Sequence, residues 1–145
     1  MKGDRLYLIH IGECIARVEQ YTAGGRDEFL ASTLIQDAVL RNLQTLAEST
    51  QRLSDAVKKK HSGVDWRGLA GFRNVLVHDY LGVDAPRVWL VIESDLPAFK
   101  AKLKPLLRRA KKSATRRPKR TAPTGKTPRK AKPAGRRKRS DKMKK

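Results

Sequence analysis

The sequence predicts an all-α protein, four main helices with the last one kinked, packed as a bundle. Two observations carry this. Apolar residues recur at three- and four-residue spacings in every segment able to bury surface, and no stretch alternates apolar with polar residues as a half-buried strand would. A third observation bounds the size. Of the 34 lysines and arginines, 19 lie from Arg108 onward with a single acid, Asp141, so the +20 net charge is almost all in the tail and the preceding residues are nearly balanced. The foldable part is residues 1–107, able to bury one modest core, a size at which dimerisation commonly supplements stability.

Asp4 precedes the first helix, which runs to about Tyr21, where Thr22-Ala-Gly-Gly stops it. Leu8, Ile11, Ile15 and Val18 share one face, and Leu6, Ile9 and Cys14 add a second apolar flank, so two neighbours are expected. His10 in this helix is a structural or surface histidine. A second helix is expected from Arg26 or Asp27 continuously to about Lys60. Ile35, Val39, Asn42, Leu43, Leu46, Thr50, Leu53 and Val57 keep the helical period throughout, and no proline interrupts them. Asn42 is the polar exception in that stripe, either an amide tying neighbouring helices or a group that orients a functional side chain. Lys58-Lys59-Lys60 complements the helix dipole at its end, and His61-Ser62-Gly63 continues as an exposed linker.

The third helix spans Trp66 to Tyr80, with Asp65 to cap its start and Gly82 to close its end. At 100° per residue, Trp66, Leu69, Leu76, Val77 and Tyr80 fall within about 60° of Arg73. An arginine inside an apolar stripe needs a partner or a job, because an unpaired guanidinium taken out of water loses several kcal/mol. Asp37 and Glu48 are the candidate counter-charges. Asn74 and His78, four apart, share a second face about 100 to 140° from Arg73. The fourth helix starts at Asp84 with Pro86 in its first turn, where the missing amide costs nothing. Val88, Val91 and Ile92 form its apolar face with Trp89 on the flank. Asp95-Leu96-Pro97 is a second start signal, so a break or kink is expected there, followed by a helix to about Leu107 carrying Phe99, Leu103 and Leu106.

From Arg108 the composition turns to lysine, arginine, alanine, proline, threonine, serine and glycine, without an apolar set that could bury surface. Residues 108–145 are therefore expected to be a disordered basic tail drawn to nucleic acid by salt-dependent, sequence-independent attraction. Aromatic residues are absent from it, so it offers no base stacking. Cys14 is the only cysteine. It allows no intramolecular disulfide and no thiolate metal cluster. The apolar runs are too short for a secretory signal or a membrane span, which points to a cytoplasmic protein.

Arg73, His78 and Tyr80 stand in an R-x4-H-x-Y pattern, preceded by Gln36-Asp37-Ala38-Val39-Leu40-Arg41-Asn42-Leu43 and followed by Gly82-Val83-Asp84, Val88-Trp89 and Asp95-Leu96-Pro97. On this ordered set the chain resembles the HepT-like branch of the HEPN superfamily across roughly residues 4 to 107. The resemblance implies a HEPN-type bundle of four to five helices. It also implies the toxin of a type VII, HepT/MntA-like toxin–antitoxin system, an endoribonuclease partnered by an MntA-like nucleotidyltransferase antitoxin.

RNA can be cleaved without metal or cofactor when its own 2′-hydroxyl attacks the adjacent phosphorus. Histidine suits the proton transfer, since its ordinary pKa of about 6.5 lets it act as acid or base near neutrality. Arginine, a permanent forked cation, suits the charge that builds on phosphorus. Arg73 and His78 are thus the candidate catalytic pair, with Asn74, Asp37 and Asn42 supporting and no metal ligands required. Their angular separation means that the helix loosens near His78 or that a second subunit completes the pair. The resemblance implies the latter, a homodimer with a composite cleft. It further implies that Tyr80 is the acceptor of adenylyl groups that silence the toxin, whereas its wheel position alone describes a packed tyrosine. The rival from another class is an inactive dimeric scaffold that binds the nucleotidyltransferase while the tail binds nucleic acid. No glycine-rich phosphate loop, paired metal carboxylates or nucleophile elbow supports another enzyme class.

Overall fold

Seven α-helices and one π-helical turn make up a computed structural model that describes residues 2–78 and 83–115. They are α1 (Lys2–Tyr21), α2 (Arg26–Ala31), α3 (Thr33–Gln51), α4 (Asp55–Lys60), α5 (Trp66–His78), α6 (Ala85–Leu90), the π turn (Val91–Asp95) and α7 (Leu96–Thr115). Among the described residues there is no strand. The tail beyond Thr115 and the segment holding Tyr80 and Gly82 lie outside the described residues.

The predicted face of α1 is the centre of the core: Leu8, Ile11, Ile15 and Val18 are all buried. Its neighbours are α3 on one side and α7 on the other. Of the second flank, Cys14 is buried and Ile9 packs on the core, but Leu6 is 52% exposed. Gly25 has φ +92°, a left-handed conformation that costs glycine nothing and turns the chain from α1 into α2.

The long second helix is in fact three. Ser32 is extended, and its hydroxyl accepts a hydrogen bond from the Ile35 amide at 3.3 Å, starting α3 afresh. Gln36 reaches back to donate to the carbonyls of Phe29 (2.9 Å) and Leu30 (3.1 Å) at the end of α2, where the Phe29 carbonyl also accepts from the Ser32 amide at 3.4 Å. The second break is at Ser54, whose hydroxyl caps α4 at the Val57 amide. Asp4 locks it from outside, accepting from the Ser54 amide at 2.7 Å and from its hydroxyl at 2.9 Å. The apolar stripe survives both breaks: Val39, Leu43, Leu46, Thr50 and Leu53 are all buried. Lys58 donates to the Gln51 carbonyl at 3.0 Å and so closes the end of α3.

The break expected at Asp95-Leu96-Pro97 takes the form of the π turn, with the Leu96 amide bonding Val91, five residues back. Pro97 has no amide for the carbonyl four residues earlier and its ring would crowd that carbonyl, so widening the helix before it removes the clash. Asp84 occupies the cap position of α6 without a side-chain cap bond. Phe29, almost fully buried, meets Trp89 with ring centroids 5.5 Å apart, joining α2 to α6.

α7 continues past the expected end at Leu107 through Thr115. It does so because Ala110, one turn after Leu106, is still buried in the core. Arg108, Arg109, Lys111 and Lys112 are therefore carried on a packed helix and not on the tail. Pro105 is tolerated inside it on the exposed side. α7 runs antiparallel to α1: Lys100 pairs with Glu19 at 2.6 Å, and a Cβ on Gly12 would lie 3.5 Å from Leu107.

Candidate functional site

α5 begins where predicted. Asp65 accepts from the Gly68 amide at 2.8 Å, and the Trp66 indole N–H is shared between the carbonyls of Lys58 and His61, each at 3.1 Å. His61, expected to be exposed, is partly buried in this joint, and His10 is exposed. With its start anchored, α5 lays Leu69, Phe72 and the buried Leu76 on the core and meets α3. Phe72 belongs to the packed face although it lay outside the predicted stripe. The buried direction is consequently rotated away from Arg73, which sits on the flank, partly buried, instead of at the centre.

From that flank Arg73 enters a cleft of about 420 Å³ whose other walls are Glu48, Gln51 and Arg52 at the end of α3. Arg73 donates from Nη1 to Asn74 Oδ1 at 3.3 Å. Among the described residues no carboxylate oxygen lies within 4.0 Å of either guanidinium. The cleft thus gathers two forked cations, one carboxylate and one amide around open space. Arginine presents paired N–H groups that match two phosphate oxygens at once.

Of the two proposed counter-charges, Glu48 shares the cleft and Asp37 does not. Asp37 is exposed and precedes Glu48 by eleven residues of continuous helix, about 16 Å along the axis at 1.5 Å per residue. Asn42 turns back on its own helix, donating to the Ala38 carbonyl at 2.8 Å. It neither ties helices together nor orients Arg73. Asn74 is exposed beside Arg73. His78 is the last residue of α5, and its side chain, like Tyr80, lies outside the described residues. Arg52 and Gln51 were missed by sequence reasoning because Glu48 and Arg52, four apart, look like an ordinary surface pair on a helix.

The outward side of α5 is unfilled. Val75 is 53% exposed, a Cβ on Gly71 would meet nothing within 4 Å, and Arg67 and Asn74 are exposed. A separate apolar groove of about 360 Å³ lies on the inner side, between α3, α5 and α7, with Leu43, Leu46, Phe72 and Phe99 among its walls and without Arg73. Burial pushes the Cys14 thiol above its ordinary pKa, with Arg17 pulling it down and Glu13 adding a smaller push upward. Among the described residues no helix is long and apolar enough to cross a membrane, and no three His, Cys, Asp or Glu side chains gather as metal ligands.

Residues 11–106 match the family model described as ribonuclease HepT-like. The chain is 33% identical over 103 residues to a Methanocaldococcus jannaschii protein named a gamma-glutamylcyclotransferase and, provisionally, an RNase; the match covers 70% of this chain and 46% of that one. It is 31% identical over 112 residues to a protein of Caldanaerobacter subterraneus provisionally named an RNase, covering 77% of this chain and all of the relative. A probable ribonuclease HepT of Thermococcus cleftensis is 33% identical over 106 residues, 72% of this chain and 96% of the relative. No solved structure matches.

Proposed function

The chain belongs to the HepT-like ribonuclease family, and from that premise we propose that it is a metal-independent endoribonuclease, the toxin of a HepT/MntA-like pair. The observation that carries the proposal is Arg73: partly buried, without a carboxylate within 4.0 Å among the described residues, and lining an open cleft on the helix that ends at His78. A cation held in that state is prepared for an anion supplied from outside, and a phosphodiester is the anion that RNA supplies.

In the proposed reaction the His78 imidazole takes the proton from a ribose 2′-hydroxyl as its oxygen forms a bond to the adjacent phosphorus. Arg73 donates to the non-bridging oxygens, which carry the added negative charge of the phosphorane. The P–O5′ bond then breaks, its oxygen takes a proton from water, the His78 imidazolium gives its proton back to solvent, and the products are a 2′,3′-cyclic phosphate and a 5′-hydroxyl. Asn74, whose Oδ1 accepts from Arg73 at 3.3 Å, steadies the guanidinium beside the open cleft. The open face of α5 is where a second copy would dock, bringing two motif helices together into one composite cleft. A nucleotidyltransferase partner would silence the enzyme by adenylylating Tyr80, since phosphates added two residues after His78 would compete for Arg73. The basic tail would hold nucleic acid nearby without sequence preference.

The test is cleavage of an end-labelled RNA in the presence of chelator, with Tyr80 shown unmodified by intact mass, beside Arg73→Ala and His78→Ala. The expected result is cleavage with a cyclic phosphate end by the unchanged protein and a loss of at least a hundredfold in each variant. Equal activity in all three, or equal inertness on several RNAs, overturns the proposal in favour of a scaffold for the nucleotidyltransferase.

A further inference from the structure

The positive charge of the folded body is concentrated around the cleft. The excess of cations over acids in residues 1–107 lies entirely in residues 48–73, where six lysines and arginines stand against three acids. That span supplies both walls of the cleft, Glu48, Gln51 and Arg52 from the end of α3 and Arg73 from α5, and α4 connects them. α4 begins three residues after Arg52, and its far end is held to α5 by the Trp66 indole, which donates to the carbonyls of Lys58 and His61. Trp66 and Arg73 are seven residues apart, about 20° around α5 and about 10 Å along it. Arg73 therefore leaves α5 on the side that α4 meets two turns earlier.

Lys58 ties α4 to the cleft directly. Its ammonium donates to the carbonyl of cleft-lining Gln51 at 3.0 Å, at the end of α3 and not of its own helix, and keeps two further N–H donors. The end of α3 is the negative end of a helix dipole, which repels an anion. An ammonium on its last carbonyls offsets that repulsion. Among the described residues no carboxylate oxygen lies within 4.0 Å of Arg52, Lys58, Lys59 or Lys60. A cleft of about 420 Å³ is much larger than a phosphate group, so the guanidinium of the α3 wall and that of the α5 wall meet different phosphates of one strand.

We infer that the RNA site extends from the cleft onto α4: Arg52 takes the phosphate next to the one on Arg73, Lys58 takes the one after it, and the strand runs on toward the exposed Lys59 and Lys60. The inference rests on the ribonuclease reading for the central phosphate, and adds where the flanking strand lies. Arg52 offers a forked, bidentate contact without first breaking an ion pair. Lys58 is a point charge already fixed by Gln51, so less side-chain freedom is lost when a phosphate arrives. A flanking phosphate keeps its charge through the reaction, so these contacts are equal in the ground and transition states and act on KM.

The test uses full-length protein and a 2′-O-methyl oligoribonucleotide carrying 4-thiouridine, which has no free 2′-hydroxyl to react and can be photo-cross-linked to the residues it touches. Mass spectrometry of the digested protein separates cross-links in the body from those in the tail. The yield within residues 52–73, followed against protein concentration, gives an affinity for the body alone. Arg52→Gln with Lys58→Gln is compared with Arg17→Gln with Arg26→Gln, the same loss of charge at exposed positions toward the other end of α1 and the start of α2. The expected result is a cross-link within residues 52–73, weakened about tenfold or more by the first pair and less than about threefold by the second, with helicity unchanged in both. The salt slope should fall by about 1.4 for the first pair, at roughly 0.7 per single-strand phosphate contact. Lys58→Arg, which keeps the charge, should bind within about twofold of the unchanged protein. On cleavable RNA, the first pair should raise KM while kcat stays within about twofold. Cross-links confined to the tail or to other helices, or equal weakening by both pairs, overturn the inference. A ribonuclease reading that fails shows itself differently, as no cleavage by any protein while the cross-link and its loss in the first pair stand.

Discussion

Replacing Asp4 by alanine should loosen the joint that brings the start of α1 to the end of α3. Its carboxylate accepts from the Ser54 amide at 2.7 Å and the Ser54 hydroxyl at 2.9 Å, across fifty residues of chain. Hydrogen bonds to a charged group contribute about 1.5–3 kcal/mol each where water is excluded. Both partners are only partly buried, so water recovers part of the loss and each bond counts for about 1 kcal/mol. The expected cost is about 2 kcal/mol for Asp4→Ala, and about half that for Asp4→Asn, which keeps one acceptor oxygen. Ser54→Ala removes the hydroxyl that Asp4 holds and that caps the Val57 amide at 3.4 Å, at about 1–1.5 kcal/mol.

The two substitutions share one hydrogen bond, so the double variant should fall short of their sum by about 1 kcal/mol. Urea unfolding followed by circular dichroism reads this directly. At a slope of roughly 1.5 kcal/mol per molar, Asp4→Ala should lower the midpoint by a little over 1 M. A cost below about 0.5 kcal/mol, or strictly additive single variants, would refute the account. In that case Ser54 would break the helix by local capping alone, and the relation of α1 to the cleft would rest on packing.

Leu103 is fully buried at the centre of α7, so Leu103→Ala should cost about 3 kcal/mol in the same unfolding assay by opening a cavity. Cys14 is buried and its thiol holds its proton more tightly in the folded chain, so native protein should react with an alkylating reagent far more slowly than protein in denaturant. By the same sign, stability should be level below the range where an exposed thiol ionises, near pH 8.5, and should decline as pH rises through it; Cys14→Ala should remove that part of the decline. If the proposed dimer docks through the open side of α5, where Val75 is 53% exposed, the unchanged protein should sediment as a dimer and Val75→Glu as a monomer, with unchanged helicity. The same sedimentation coefficient for both proteins would refute the proposed docking through this face.

The sequence by itself determined the features that act within about one helical turn. The face made by Leu8, Ile11, Ile15 and Val18, the Asp65 cap of α5 and the disturbance before Pro97 were legible because spacing, capping and a missing amide are local causes. The R-x4-H-x-Y set was legible for the same reason, as residue types in order. Tertiary structure alone decided where the long second helix breaks. Ser32 and Ser54 are ordinary in a helix until Gln36 and the distant Asp4 supply hydrogen bonds that make a cap the better state. It also decided that α7 continues to Thr115, since the burial of Ala110 depends on the surface the helix meets. The neighbours of Arg73 were beyond sequence for the same reason. Asp37 and Glu48 are equal in chemistry, and only the packing of α5 on α3 puts Glu48 and Arg52 across the cleft while leaving Asp37 about three turns away.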